Sequence, residues 1–258
     1  MSQFRSLITV SPLGFMYGSA GGFLSPENLV GRSNNKFPPD SAALAGLLLN
    51  ANREQGFLDP EGLKKKLVVA GPFWAKQDNP KQFYVPISRH RLIAKEEDDE
   101  WKLAPKPKST LGDEQATQSN QGQWHLNQQQ WTRSPKELEP AYSWQTIGSW
   151  NEPTDELREQ GAVAEVPWRS APFLHPKIKS DERHVVDEDG LFLENAVQLP
   201  EDTCLVYLTN VEAAELQPFA GWYRLGGEGH FVEIENHSLS DQHKINQLLR
   251  QKIHYALP

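Results

Sequence analysis

Between Arg224 and His230 stand three glycines in four positions, Gly226, Gly227 and Gly229. Glycine enters φ > 0 without steric penalty and lets main-chain amides approach a ligand with no Cβ in the way. Amides displayed on such a turn form a nest for anions, phosphate above all. Arg224 adds a guanidinium, and the His230 imidazole is suited to act as a general base toward a ribose 2′-hydroxyl. Trp222 to Leu225 and Phe231 to Ile234 are rich in aromatic and β-branched residues and read as strands. The same glycines therefore also suit plain closure of a hairpin at a sheet edge.

A second group of anion-facing residues lies upstream. Arg32, Asn34 and Lys36 end a glycine- and asparagine-rich stretch that begins at Gly14. A loop this long inside a compact domain is usually functional or disordered. Its cations can reach phosphates, and Phe15, Tyr17 and Phe23 can stack single-stranded bases. Pro39, Asp40 and Ser41 then open a helix with Asp40 or Ser41 able to cap its free amides, which favour an anion if Asp40 turns inward to cap. Lys64, Lys65 and Lys66 read as a solvated turn that can steer phosphate.

Other chemistries find no support. There is no phosphate-binding Walker loop, no Gly-x-Ser-x-Gly elbow and no His-Glu-x-x-His helix. Gly226 to Gly229 does not open a helix, so a dinucleotide fingerprint fails on context. The single cysteine, Cys204, sits in the apolar run Thr203 to Leu208 and reads as a buried structural thiol. One cysteine forms no intrachain disulfide or cysteine zinc site, which fits a reducing cytosol. His237 and His243 are near in sequence but lack a third ligand, so neither metal nor cofactor is expected. Met1 to Leu7 lacks the apolar run of a signal peptide, and no segment is long enough to span a bilayer, so a cytoplasmic protein without membrane contact is expected.

The net charge of −8 argues against nucleic acid, but its distribution does not. Residues 1–95 hold 12 Lys/Arg against 6 Asp/Glu, while the remainder holds 14 against 28. A basic part joined to an acidic part suggests an anion-facing surface and a separate protein partner.

The positioning elements follow from the hydrophobic pattern. Phe4 to Val10 reads as a strand, and Ala42 to Ala51 as a helix apolar nearly all round, hence buried, with Gly46 allowing close approach to a sheet. Leu67 to Phe73 and Gln82 to Val85 read as strands around a hairpin loop at Trp74 to Pro80. From Glu96 to about Gln160 the pattern degrades into acidic, then Gln/Asn-rich sequence that nevertheless holds five of the eight tryptophans. That is unlike ordinary disorder and reads as an irregular insertion, with a short helix capped by Thr154. Strands resume over 190–199 and 203–208 and on both sides of the glycine turn. Ser240 or Asp241 should cap a terminal helix whose stripe is Ile245, Leu248, Leu249 and Ile253. This order predicts an α+β fold compatible with ferredoxin-like units, in three parts: 1–95, an insertion at 96–182, and 183–258.

Several of these segments together resemble the RAMP superfamily of CRISPR effector subunits, and within it the family of subunit three of the type III-B Cmr complex. The glycine turn is similar to the superfamily's C-terminal glycine-rich loop. Ser11 to Leu13 precedes an extended loop, Phe37 to Gly46 is similar to a Pro-rich entry into a Ser-x-x-x-Gly helix, and Val69 to Phe73 with Phe83 to Pro86 is similar to the family's Gly-Pro-Phe strands. Asp187 to Phe192 resembles its Glu-Gly-x-Leu-Tyr segment. The resemblance implies paired ferredoxin-like, RRM-like units with a glycine-loop groove. It implies a non-catalytic subunit that grips the 5′ repeat-derived tag of guide RNA. It also implies contact with the large cyclase/polymerase-like subunit and a backbone RAMP subunit in antiviral defence. A metal-independent RAMP endoribonuclease with His230 as base, an assembly subunit without RNA contact, and a Cas-five-like subunit of a related type III complex are the alternatives. The chain is short for the family, and the Gln/Trp-rich middle has no counterpart in it.

Overall fold

The computed structural model describes residues 4–16, 37–105, 124–126, 129–134, 137–176, 191–227 and 229–250. In chain order these form β1 (Ser6–Pro12), α1 (Ser41–Gln55), α2 (Pro60–Lys66), β2 (Val69–Lys76) and β3 (Tyr84–Pro86). Then come β4 (Arg91–Ile93), β5 (Asp98–Glu100), β6 (Lys102–Pro105), β7 (Trp124–Leu126), β8 (Gln129–Thr132), β9 (Trp144–Thr146), α3 (Thr154–Glu159) and β10 (Val163–Ala164). The chain closes with β11 (Arg169–Pro176), β12 (Leu191–Gln198), β13 (Thr203–Thr209), β14 (Gly221–Leu225), β15 (His230–Ser238) and α4 (Lys244–Arg250). Two compact units result, one of residues up to Tyr84 and from Pro167 onward, the other Val85–Val166.

The first unit is a mixed α/β structure on a large antiparallel sheet, in the order β3-β2-β13-β1-β15-β14. Every residue of β13 is buried, as a central strand covered on both faces must be. On one face Ile8, Val10, Leu205, Tyr207, Val232 and Ile234 lie in register and are buried. Helix α1 meets that face, for the Tyr207 hydroxyl donates to the Pro39 carbonyl at 2.6 Å, just ahead of the helix. On the other face Phe73, across from Val206, stacks on Phe83 at 5.1 Å, and Phe83 stacks on His243 at the start of α4.

Several local expectations need correction. Asp40 does cap α1, accepting from the Ala43 amide at 3.3 Å, but the helix buries one row only: Leu44, Leu48, Ala51 and Asn52. Its remaining small residues tolerate exposure, and Gly46 is exposed with open space where a Cβ would stand. Lys64 to Lys66 are the last turn of α2, where cations complement the helix dipole, and Asp59 caps its start through the Gly62 amide. Strand β2 continues through the buried Trp74 and Ala75, placed by the sequence pattern in a loop. Thr154 is the first residue of α3 rather than its cap, and no side chain caps that helix. Helix α4 starts at Lys244, and the His243 ring takes the capping role expected of Ser240 or Asp241: its Nδ1 accepts from the Ile245 amide at 3.3 Å. Ile253 lies outside the described residues.

The second unit consists of short pieces: the β4–β5 hairpin, a three-stranded β6-β8-β7 sheet, the β9–β10 pair and α3. Its buried cluster is small, Ile93, Leu157 and Ala162 with Ile87, Tyr142 and Val163 packed around it. An ion pair from Arg158 to Asp98 at 3.0 Å ties α3 to β5.

Candidate nucleic-acid interface

The hairpin β14–β15 brings five of the expected site residues together. Arg224 and His230 end the two strands' pairing region, with Leu225 opposite His230 and Arg224 opposite Phe231. Gly226 and Gly229 take φ of 75° and 68°, in the left-handed region that glycine enters freely. The Gly229 amide donates to the Gly226 carbonyl at 3.2 Å, closing the turn, so that N–H serves the fold. Gly227 has no positive φ and no neighbour within 4 Å of a Cβ, so the turn geometry does not demand a glycine there. Gly226 and Gly227 are exposed at the tip.

Ser41 is not part of this cluster. The entry to α1 sits by Tyr207, whereas its far end reaches the hairpin through Gln55 Nε2, which donates to the Tyr223 hydroxyl at 3.2 Å. Ser41 and the glycine turn thus stand at opposite ends of a 15-residue helix. Arg32, Asn34 and Lys36 lie outside the described residues, as do Tyr17 and Phe23. Phe15 is placed: its ring meets Phe173 of β11 edge-on at 4.7 Å.

The sequence reading missed what accompanies Arg224. Register puts Trp222, Arg224, Phe231 and Glu233 on one face, and all four are exposed. Trp222 is 74% and Phe231 55% accessible, and the Leu13 amide bonds the Phe231 carbonyl, extending the stripe to an exposed Leu13. The Arg224 guanidinium lies over the Phe231 ring at 4.8 Å, and the Trp222 indole N–H donates to Glu233 Oε1 at 3.3 Å. Period-two alternation from Gly221 to Leu225 was the available signal, since it puts Trp222 and Arg224 on one side and Tyr223 and Leu225 on the other. Glu233 and the exposed Glu235 share this face. Their carboxylates repel a phosphate chain lying across it, so an anion is best received at the turn end, by Arg224 and the tip.

The remaining titratable groups read as structural. Burial pushes the Cys204 thiol up to about 12, consistent with an inert core cysteine. Among the described residues, no three His, Cys, Asp or Glu side chains are grouped to hold a metal ion. Among the same residues no helix is long and apolar enough to cross a membrane.

The sequence matches the family model of the CRISPR-associated protein Cas_Cmr3 over residues 15–256. The chain belongs to that family. The match runs through both compact units and through the hairpin, and of the segments that carried the resemblance only Ser11 to Leu13 falls outside it. This Cas_Cmr3 member is also similar to chains in two cryo-EM structures of the Type III-B Cmr-beta complex. In the one bound to cognate target RNA and AMPPnP, identity is 12% and the TM-score 0.44, covering 89% of this chain and 62% of that one. In the one bound to cognate target RNA, the values are 11% and 0.45, with 89% and 63% covered. The chain therefore spans less than two thirds of the length of either. No curated protein matches the sequence.

Proposed function

We propose that this Cas_Cmr3-family chain is a non-catalytic, RNA-binding subunit of a type III CRISPR effector complex. In this reading it grips the 5′ repeat-derived tag of the guide RNA and contacts the large cyclase/polymerase-like subunit and a backbone RAMP subunit. The family match over residues 15–256 carries the reading. Two features of the fold support it. Strands β1 and β2, joined through α1, lie on either side of the antiparallel β13, the split βαβ arrangement of a ferredoxin-like unit. Among the described strands this βαβ arrangement occurs once, and the β14–β15 hairpin displays Arg224, Gly226, Gly227 and His230 at one end.

RNA received there would be held by phosphate contacts and read through shape and stacking. The test is guide-RNA affinity of the full chain at two salt concentrations, wild type against Arg224→Glu and against Arg32→Glu with Lys36→Glu. Each lost phosphate contact should reduce the slope of log affinity on log salt by about 0.7 for a single strand. Unchanged affinity at both salts for both variants overturns the assignment. Incubation with repeat RNA in EDTA should leave it intact. A 2′,3′-cyclic phosphate product that disappears in His230→Ala would replace this reading with the endoribonuclease.

A further inference from the structure

Among the described residues the outer edge of β14 is open. It is the last strand of its sheet, and among the described residues no strand pairs with its far side. The direction of its main-chain groups follows from its neighbours. The Leu13 amide bonds the Phe231 carbonyl, so Phe231 turns its N–H and C=O toward β1. In an antiparallel ladder the residue across the other side is then in a non-hydrogen-bonded pair. Arg224 is that residue, and Trp222 lies two along in the same phase, opposite Glu233. Both therefore aim an N–H and a C=O away from the sheet.

Natural sheets blunt such edges with lysine, proline, bulges or a covering element. Gly221 to Leu225 has neither lysine nor proline, a single charge at Arg224, and a Trp222 side chain that is 74% exposed. Alternating donors and acceptors are complementary to a polypeptide backbone, whereas a phosphate chain offers acceptors only. Glu233 and Glu235 on the adjoining face further disfavour RNA.

We infer that β14 is a docking edge for an extended segment of another protein subunit, which adds a strand next to Trp222 and Arg224. Pairing across the new ladder calls for an apolar or aromatic side chain against Trp222. This edge uses the main-chain groups of Trp222 and Arg224, whereas RNA is assigned to the Arg224 side chain and the glycine tip beside it. The docking edge rests on the proposed membership of a complex.

The test is residue-resolved amide exchange of the full chain alone, with guide RNA, and reconstituted with the other subunits of its effector complex. The Trp222 and Arg224 amides should slow at least tenfold in the complex, and the Trp222 amide should not slow with RNA alone. Of the main-chain groups Trp222→Pro removes just an outward donor, which edge strands tolerate, and it also removes the indole that Trp222→Ala removes alone, so recovery in the complex should fall at least tenfold, with Trp222→Ala in between. Should Trp222→Pro not fold, the wild-type exchange decides. Unchanged exchange in a complex that forms, protection of the Trp222 amide by RNA alone, or protection through self-association of the isolated chain overturns the docking edge. A wild-type chain that enters no complex overturns membership and the docking edge together, so the two failures are distinguishable.

Discussion

The Arg224 guanidinium lies 4.8 Å from the centroid of Phe231, its direct cross-strand partner. Its stem passes beside the turn, where a Cβ on Gly229 would stand 3.8 Å from Arg224 Cδ. A flexible cation is thereby held over a ring at the sheet end that carries the glycine tip. An exposed contact of this kind contributes about 0.5–1 kcal/mol. A double-mutant cycle of Arg224→Ala and Phe231→Ala, read from urea midpoints, should return a coupling of that size. Strict additivity would show that the ring does not hold the guanidinium.

How far the sequence foretold this is uneven, and the reasons are local. The hairpin was legible because glycines with positive φ flanked by alternating strands are a strong short-range signal, and Gly226 and Gly229 take that conformation. The α1 cap was legible because Asp40 follows Pro38 and Pro39 immediately ahead of an apolar run. The exposure of Trp222 was not legible, since an aromatic in a strand reads as core until the strand is known to lie at an edge. The α4 cap failed similarly. Histidine is an uncommon cap, and its role here depends on stacking against Phe83, which is distant in sequence. Short strands in the second unit left little periodicity to read, several being two to four residues long.

Tyr207 is fully buried, and burial holds its phenol well above the ordinary range, so the hydroxyl stays protonated. Its donation to the Pro39 carbonyl ties mid-β13 to the entry of α1. Tyr207→Phe leaves that carbonyl without its donor and should destabilise the chain by about 1 kcal/mol, with an unchanged denaturant slope. An unchanged midpoint would mean that the hydroxyl contributes nothing net.

Asn246 is buried and its amide clasps the start of β1: the Phe4 N–H donates to Asn246 Oδ1 at 3.0 Å, and Asn246 Nδ2 donates to the Phe4 carbonyl at 2.8 Å. Nδ2 also reaches the Ser240 carbonyl at 3.1 Å. Asn246→Leu orphans both main-chain groups of Phe4, while the Ser240 carbonyl keeps the His243 amide, and should cost roughly 2–4 kcal/mol. Asn246→Gln restores the chemistry one methylene too far out and should recover little. Full stability in Asn246→Leu would refute the clasp.

His243 gives the chain a pH dependence whose sign follows from its partners. Nδ1 accepts from the Ile245 amide, so Nε2 carries the proton and donates to the Lys81 carbonyl at 2.9 Å. A second proton would have to sit on Nδ1, facing an N–H. Burial depresses the pKa below its ordinary 6.5, opposed by the Lys81 carbonyl bond and reinforced by the Lys81 charge. A depressed histidine means that, just below 6.5, the unfolded chain binds more protons than the folded one. Stability from this group is then complete above about 6.5 and is lost as pH falls through the lowered folded value. His237 is also depressed, by burial first, and contributes in the same direction. The thermal midpoint should therefore be flat on the alkaline side of that window and decline toward acid. His243→Asn keeps a capping acceptor without a titrating ring and should flatten part of the decline, while His243→Asn with His237→Gln should flatten more. An acid decline of unaltered steepness in both variants would show that carboxylates, and not these rings, set the acid limit.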